Sequence, residues 1–372
     1  MRFERVFAIG VLWVAVAALQ AQDLEKWEIG PFTRPESGNP VITPRAESTF
    51  DDPVLKTAVH WEALNTFNPG AIVRDGKIYV LYRAEDASGT MKIGGHTSRL
   101  GLAESTDGVH FTRRPEPVFY PADDEQRVRE WPTGVEDPRI VERDDGTYVL
   151  TYTQSDGKAW WVGIASSRDL IHWTKYGQAF ATAAGGKYAG LKFFKSAGIV
   201  TRLDKAKGRL IAARIHGKYW MYWGERKISL ACSTDLIHWT PVEDATGSPI
   251  VLIHERPGYF DSGYPETGPP PVLTKAGIVF FYNGINAASG GDPALGPRSA
   301  GAGEALFDGK DPAHLLHRAA KPVLKPEMPF EQTGQYAPGD TFVEGLVYFH
   351  KKWFLYYGSA DSVVGVVTAL AK

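Results

Sequence analysis

Glu136 and Asp137 stand side by side in VEDPRI (135–140), with Pro138 next and Arg139 two places beyond Asp137. Two adjacent carboxyls followed by a guanidinium can do acid–base chemistry, because one carboxyl moves a proton while the cation tunes it. Pro138 favours an extended backbone before it, and period-2 alternation then puts Asp137 and Arg139 on one face. Such a pair is either a structural ion pair or a tuned catalytic acid, and spacing alone leaves both open. Asn68 opens NPGAIVR, Arg83 sits late in LYRAED, Lys195 opens KSAGIVTRL, Glu225 ends KYWMYWGE, Glu266 opens ETGPPP and Asp361 ends YYGSAD. Taken singly, each reads as a solvated or ion-paired residue. Gathered in one place, several carboxylates with cations and aromatics make a sugar site. Glycoside cleavage uses two carboxyl groups, about 5–5.5 Å apart for retention and about 6.5–9.5 Å apart, with a water between, for inversion.

Only a repeat brings together residues spread from 68 to 361. A two-strand phrase recurs five times, its second strands reading GKIYVLYRAED (76–86), GTYVLTYTQSD (146–156), GRLIAARIHGK (208–218), GIVFFYNGIN (277–286) and KWFLYYGSAD (352–361). Upstream of these lie the shorter runs NPGAIVR, EDPRIVER, KSAGIVTRL, ETGPPPVLTK and VEGLVYFH. A third phrase, GLAESTDGVHF, GIASSRDLIHW and SLACSTDLIHW, superimposes residue for residue. Repeats of this period with short aromatic strands predict an all-β chain folded as a five-bladed β-propeller of roughly 60–75 residues per blade. Helical periodicity is missing, which excludes a doubly wound α/β fold. A propeller collects the starts of its inner strands at one mouth, so Asn68, Glu136, Asp137, Lys195, Glu266 and Glu344 are expected to be neighbours. Each copy of the third phrase carries Asp-x-x-His (Asp107 and His110, Asp169 and His172, Asp235 and His238), read as outer-turn contacts in separate blades and not as metal ligands.

The chain has 372 residues with 41 basic and 43 acidic side chains, so no basic stripe suggests nucleic acid. Arg2 and Arg5 precede an apolar run from Val6 to Leu19, and Ala21 offers a cleavage point. Residues 1–21 therefore read as a secretory signal peptide, leaving no membrane span after cleavage and placing the protein in a bacterial periplasm or outside the cell. Residues 22–66 are an irregular N-terminal segment expected to close the ring, and 67–372 the propeller that would carry catalysis. Cys232, the single cysteine, excludes an internal disulfide; neither a metal nor a cofactor is expected. The Gly/Ala/Pro-rich stretch 286–303 is either a lid near the mouth or an exposed insertion.

In FNPGAIVRDGKIYVLYRAED, GGHTSRLGLAES, VEDPRIV, KYWMYWGE, GYFDS with ETGPPP, and EGLVYFHKKWFLYYGSADSVVGV, the chain resembles glycoside hydrolase family 130 from about Asn68 to Leu370. That family comprises mannoside phosphorylases and β-1,2-mannosidases on five-bladed propellers. The resemblance implies Asp137 as general acid, with Asn68, Arg83, Arg139, Lys195 and Asp361 lining the sugar and acceptor pocket. It implies Glu225 and Glu266 as the two candidate bases, as in the exported β-1,2-mannosidase branch. Arg99 joins Arg83 and Arg139 in orienting hydroxyls, Asp261 joins the substrate pocket, and Tyr264 and Trp220 are the stacking surfaces. Phosphorolysis conserves bond energy as a sugar 1-phosphate, useful only inside a cell, so the export signal favours water as the attacking group. The expectation is an exported, inverting, exo-acting hydrolase of β-mannosides, most readily β-1,2-linked, with a mannose-containing oligosaccharide as partner. The alternatives are a β-mannoside phosphorylase producing mannose 1-phosphate and a non-catalytic sugar-binding propeller. Arg214, His216 and Lys218 leave some cation near the YWGE run for a phosphate.

Overall fold

The computed structural model describes residues 25–88 and 95–371; the predicted signal peptide over 1–21 lies outside them. Alternating apolar residues punctuated by Asp-Gly and Gly turns give antiparallel meanders. The first runs through strands Asn65–Arg74, Lys77–Asp86, Thr97–Ser105 and Thr112–Arg113. Its hairpin turns on Asp75 (φ 49°) and Gly76 (φ 73°), the two left-handed residues that a tight turn matching the strand twist requires. The second meander comprises Gly134–Glu142, Tyr148–Ser155, Trp160–Ser167 and Trp173–Gln178. The fourth pairs Tyr264–Thr267 and Val272–Leu273 with Ile278–Ile285, then adds Ala300–Phe307 and Leu315–Arg318. Three prolines between its two short inner pieces remove ladder donors and split the strand. The fifth comprises Thr341–Phe349, Lys352–Ser359 and Val363–Leu370.

The third meander departs from the sequence reading. Its inner strand Ala197–Ile199 pairs with Lys218–Trp223, followed by Ser229–Ser233 and Thr240–Pro241. The run at 208–218, expected as the second strand, instead folds back in two pieces, Arg209–Ala212 onto Thr201–Asp204 and Arg214–Ile215 onto the start of Lys218–Trp223. Left-handed His216 and Gly217 make that last turn, so the hydrophobic run is broken where its pattern alone looked continuous. Helix among the described residues is limited to single turns, such as Arg127–Glu130 and Pro329–Gln332. The chain is all-β, and its strands fall into separate sheets that do not join into one closed sheet.

Neighbouring meanders pack face to face. Val141, Ile164, Met221 and Trp223 join the second to the third, and Val80, Tyr82, Val347 and Tyr356 join the first to the fifth. Each such side chain removed from water stabilises the fold by about 1.5–3 kcal/mol. The inner strands approach closely. A Cβ on Gly70 would lie 2.6 Å from the Pro138 carbonyl oxygen, and one on Gly345 would lie 2.7 Å from that of Pro69. Only glycine permits these backbone contacts. Ahead of the first strand, Thr33 and Ile42 bridge to Thr368 and Val364, so the N-terminal segment lies along the last strand of the chain.

Candidate active site

Three inner strands carry a bulge at corresponding places. Register shifts between Phe67 and Pro69, between Glu136 and Arg139, and between Val343 and Gly345, leaving Asn68, the Asp137–Pro138 pair and Glu344 at the irregularities. Asn68 (φ 43°) and Asp137 (φ 52°) are left-handed there, a conformation uncommon for residues with a side chain and frequent where a bulge re-aims one. Both side chains swing to the common centre, where Asn68 Nδ2 donates to Asp137 Oδ1 at 2.9 Å. Ser196 (φ 57°) has the same backbone immediately before the third inner strand, one residue after Lys195.

These residues face a pocket of about 240 Å³. Asp137 Oδ1 also accepts from Arg83 Nη1 at 3.0 Å, while Oδ2 is buried without a hydrogen-bond partner and lies 3.6 Å from Lys195 Nζ. Lys195 Nζ reaches Glu266 Oε1 at 3.1 Å, and Ser196 Oγ donates to the same oxygen at 2.5 Å. Arg83 is held by Glu85 at 2.7 Å and Glu136 at 3.2 Å, with its guanidinium 4.6 Å from the Phe67 ring centre. Below the pocket, Arg139 donates to the carbonyls of Asp137 (2.9 Å) and Thr267 (2.7 Å) and pairs with Glu344 at 2.9 Å. Arg139 thus fixes the backbone that presents Asp137; it is not on the pocket wall.

Charge is divided unevenly among the carboxyls. Burial alone would raise Asp137, but Lys195, Arg83, Arg139 and the Asn68 hydrogen bond overcome it and hold the group well below the carboxylate range. Burial pushes Glu136 up to about 7 against the pull of Arg83, with the Asp137 charge adding to the rise. Burial likewise raises Asp361 to about 7 and lifts Glu266 and Glu344, the latter strongly. Asp340 is raised well above its usual range by burial and by Asp361. Lys195 stays charged because Glu266 and Asp137 outweigh its desolvation. Burial thus opposes the charged form of several of these carboxyls, and the pocket is less negative than its residue types suggest.

Of the residues singled out in the sequence, the structure brings Asn68, Arg83, Glu136, Asp137, Lys195, Glu225, Tyr264, Glu266 and Asp361 to this pocket. Glu225 is half-buried, bridges Glu266 through the backbone, and makes no side-chain hydrogen bond or ion pair among the described residues. Tyr264 lies under Arg226, 4.6 Å from its ring centre. Four assignments are corrected: Arg139, which holds backbone beneath the pocket, and three more. Arg99 is fully buried between Asp52 and Asp86, both at 2.6 Å, where no sugar reaches it. Asp261 is consumed by Arg256 and Arg318, both at 2.7 Å, and by the Tyr282 hydroxyl. Trp220 points into packing with its Nε1 on the Ile215 carbonyl at 3.0 Å, outside the pocket lining.

Sequence reasoning missed Gln335, Tyr336 and Asp340, which line the pocket from an irregular segment with no repeat signal. Gln335 Nε2 links Glu85 Oε2 at 3.0 Å to the Asp361 carbonyl at 2.8 Å. The Asp-x-x-His copies are turn devices, as expected: each Asp accepts its own His Nδ1 at 2.7–2.8 Å and caps nearby amides. The stretch 286–303 is folded on itself by Asn286, whose Nδ2 donates to the Asp292, Leu295 and Gly296 carbonyls. Within it only Ala300 lines the pocket, joined by Ile285 just before it.

A family described as beta-1,4-mannooligosaccharide phosphorylase, within glycoside hydrolase family 130, matches residues 39–371. A 1,2-beta-oligomannan phosphorylase of Thermoanaerobacter sp. (strain X514) is 30% identical over 89% of this chain and 94% of its own. A solved putative glycosidase from Bacteroides thetaiotaomicron VPI-5482 is 49% identical with a TM-score of 0.91, covering 94% of this chain and 99% of that one. Another solved structure, 47% identical with a TM-score of 0.91 over 94% and 98% of the chains, is reported under the statement that the GH130 family of mannoside phosphorylases contains glycoside hydrolases that target beta-1,2 mannosidic linkages in Candida mannan. The expectation of hydrolysis is corrected by the curated relatives. Those matched over most of this chain's length, including a beta-1,2-mannobiose phosphorylase from the same Thermoanaerobacter strain, are phosphorylases.

Proposed function

Because the chain belongs to glycoside hydrolase family 130, we propose that it is a phosphorylase of β-1,2-linked mannosides, transferring a terminal mannosyl group to inorganic phosphate. In one displacement the anomeric carbon's bond to the glycosidic oxygen breaks and its bond to a phosphate oxygen forms. Asp137 supplies the proton to the departing oxygen, directly or through a substrate hydroxyl. The products are mannose 1-phosphate and the mannoside shortened by one sugar.

The observation that carries this reading is the placing of Arg83 and Lys195 around Asp137, at 3.0 and 3.6 Å, in one pocket. Those cations hold the Asp137 carboxyl well below the usual carboxylate range, which disfavours the protonated form that an acid needs. A phosphate dianion beside Lys195 supplies the negative charge those cations demand and raises the Asp137 pKa. Water brings no such charge. The acid is then loaded only when the nucleophile is present. Lys195, with its side chain 21% exposed against 7% for Arg83, is the cation more open to phosphate. The protonated forms of Glu136 and Asp361 reduce repulsion and add donors. The five meanders are read as a five-bladed propeller whose last blade is completed by the N-terminal segment. The bridges from Thr33 and Ile42 and the tight contacts of Gly70 and Gly345 support that arrangement.

The test is NMR of the products from β-1,2-mannobiose with and without phosphate. Mannose 1-phosphate appears only with phosphate, and substrate is left intact without it. Release of free mannose at an equal rate in phosphate-free buffer would refute the proposal. A family described as holding both kinds of member makes that comparison decisive.

A further inference from the structure

Outside the pocket, one aromatic side chain is held in a place that folding does not favour. Phe193 is 55% exposed and its backbone is left-handed, φ 66°. For a bulky residue that conformation is destabilising, and it persists only where surroundings enforce it. The enforcing contacts come from Trp160. The amides of Phe193 and Phe194 both donate to the Trp160 carbonyl, at 3.0 and 3.3 Å, and the Phe193 ring packs edge-on against the indole at 5.0 Å and 78°. The neighbouring Phe194 turns the other way and packs on Trp223 at 5.0 Å, anchoring the segment. Two successive phenylalanines thus part, one inward and one outward.

The location follows from register. Trp160 pairs with Ser155, which pairs with Gly134, two residues before Glu136, so Trp160 stands at the pocket end of its meander. Phe193 precedes Lys195 by two residues. The exposed ring therefore belongs to the surface around the pocket's opening. Beneath the pocket, Arg139 and Glu344 close the centre, so a mannoside enters by its terminal sugar and the rest of its chain extends across that surface.

We propose that the Phe193 ring, fixed against Trp160, is a stacking platform for a sugar of the mannoside chain beyond the bond being broken. The proposal rests on the mannoside reading above and gives that site a preference for oligomannosides over the disaccharide. A pyranose presents a C–H face that packs on an aromatic ring, and a ring already held by its neighbour loses little freedom on binding. The strained, outward phenylalanine then has a function that folding alone does not supply.

Calorimetric titration of β-1,2-mannobiose and β-1,2-mannotriose into Asp137→Asn protein, with and without Phe193→Ala, tests it. The ratio of trisaccharide to disaccharide affinity falls about fivefold in the Phe193→Ala protein, the size expected of one aromatic contact, and Phe193→Trp restores it. An unchanged ratio, or equal weakening of both sugars, overturns the platform. Free mannose appearing as the wild-type product would overturn the phosphorylase reading and leave this length dependence standing, so the two failures are distinguishable.

Discussion

Replacing Glu136 with glutamine should stabilise the protein at alkaline pH and leave it unchanged near pH 5. Burial raises Glu136 from 4.5 to about 7, although Arg83 lies 3.2 Å away. A carboxyl whose folded pKa is raised contributes stability that is fully present below its unfolded pKa and is lost as pH climbs through the folded one. The window therefore runs from about pH 4.5 to about pH 8. A rise of this size, at about 1.4 kcal/mol per unit, makes wild-type protein about 3 kcal/mol less stable at pH 8.5 than it would be with a neutral group there. Glutamine cannot ionise and escapes that loss. With about 2 cal/mol/K of unfolding entropy per residue, a chain of this length shifts Tm by about 1–2 °C per kcal/mol, hence about 4 °C here. Differential scanning calorimetry from pH 5 to 8.5 reads the difference between variant and wild type directly. Asp361, also raised to about 7, acts alike in both proteins and cancels. Asp137 is depressed, so its contribution is lost only as pH falls below its unfolded value near 4. A Glu136→Gln protein melting below wild type at pH 8.5 would show that the Arg83 ion pair outweighs burial, and the reasoning would be wrong.

Asp137→Asn should lower kcat/KM on mannobiose by about a thousandfold, with far less loss on an aryl mannoside whose leaving group needs no proton; equal losses would remove Asp137 as the acid. Lys195→Met should raise KM for phosphate about 10- to 100-fold, the value of a charge-assisted hydrogen bond, and an unchanged phosphate KM would move the anion elsewhere. Glu225→Gln should keep phosphorolysis within tenfold, since phosphate needs no protein base, whereas a loss of a hundredfold or more would mark Glu225 as one. Arg99→Met strands Asp52 and Asp86 in the interior, so stability should drop by about 3–5 kcal/mol while activity well below the melting point is retained. Activity lost from a still-folded Arg99→Met protein would return that arginine to the sugar site.

The strand openings were legible because a repeat carries its own alignment. Asn68, Asp137, Lys195 and Glu266 could be placed together from sequence, since corresponding positions of corresponding strands must converge. Bulges were not legible. Ser196, not Lys195, has the left-handed backbone shared with Asn68 and Asp137, and no residue type announces an inserted position. Arg99, Asp261 and Trp220 were misplaced for one reason: whether a charged or aromatic residue meets ligand or core depends on partners far away in the chain. Asp52 is 47 residues from Arg99, and Arg318 is 57 from Asp261. Gln335, Tyr336 and Asp340 come from an unrepeated segment, where positional logic has nothing to compare. The preference for water was argued from export and from the mere presence of glutamates. Neither distinguishes water from phosphate, and the matched relatives are phosphorylases.

The bridges from Thr33 to Thr368 and from Ile42 to Val364 join residues more than 300 positions apart. Contacts that distant form slowly, because most of the chain must be confined before they yield any return. A polypeptide emerging from a ribosome can fold its early meanders in turn, but the last sheet stays open at one edge until the C-terminal strand appears. Until then the edge of Lys352–Ser359 that Val363–Leu370 later covers offers unpaired amides to any other chain. Removing the last ten residues would leave the pocket-lining side chains intact in sequence, yet would make every nascent-like molecule permanent. The expected phenotype is aggregation during synthesis, with association between copies through the exposed edge, before any loss of catalysis could be measured.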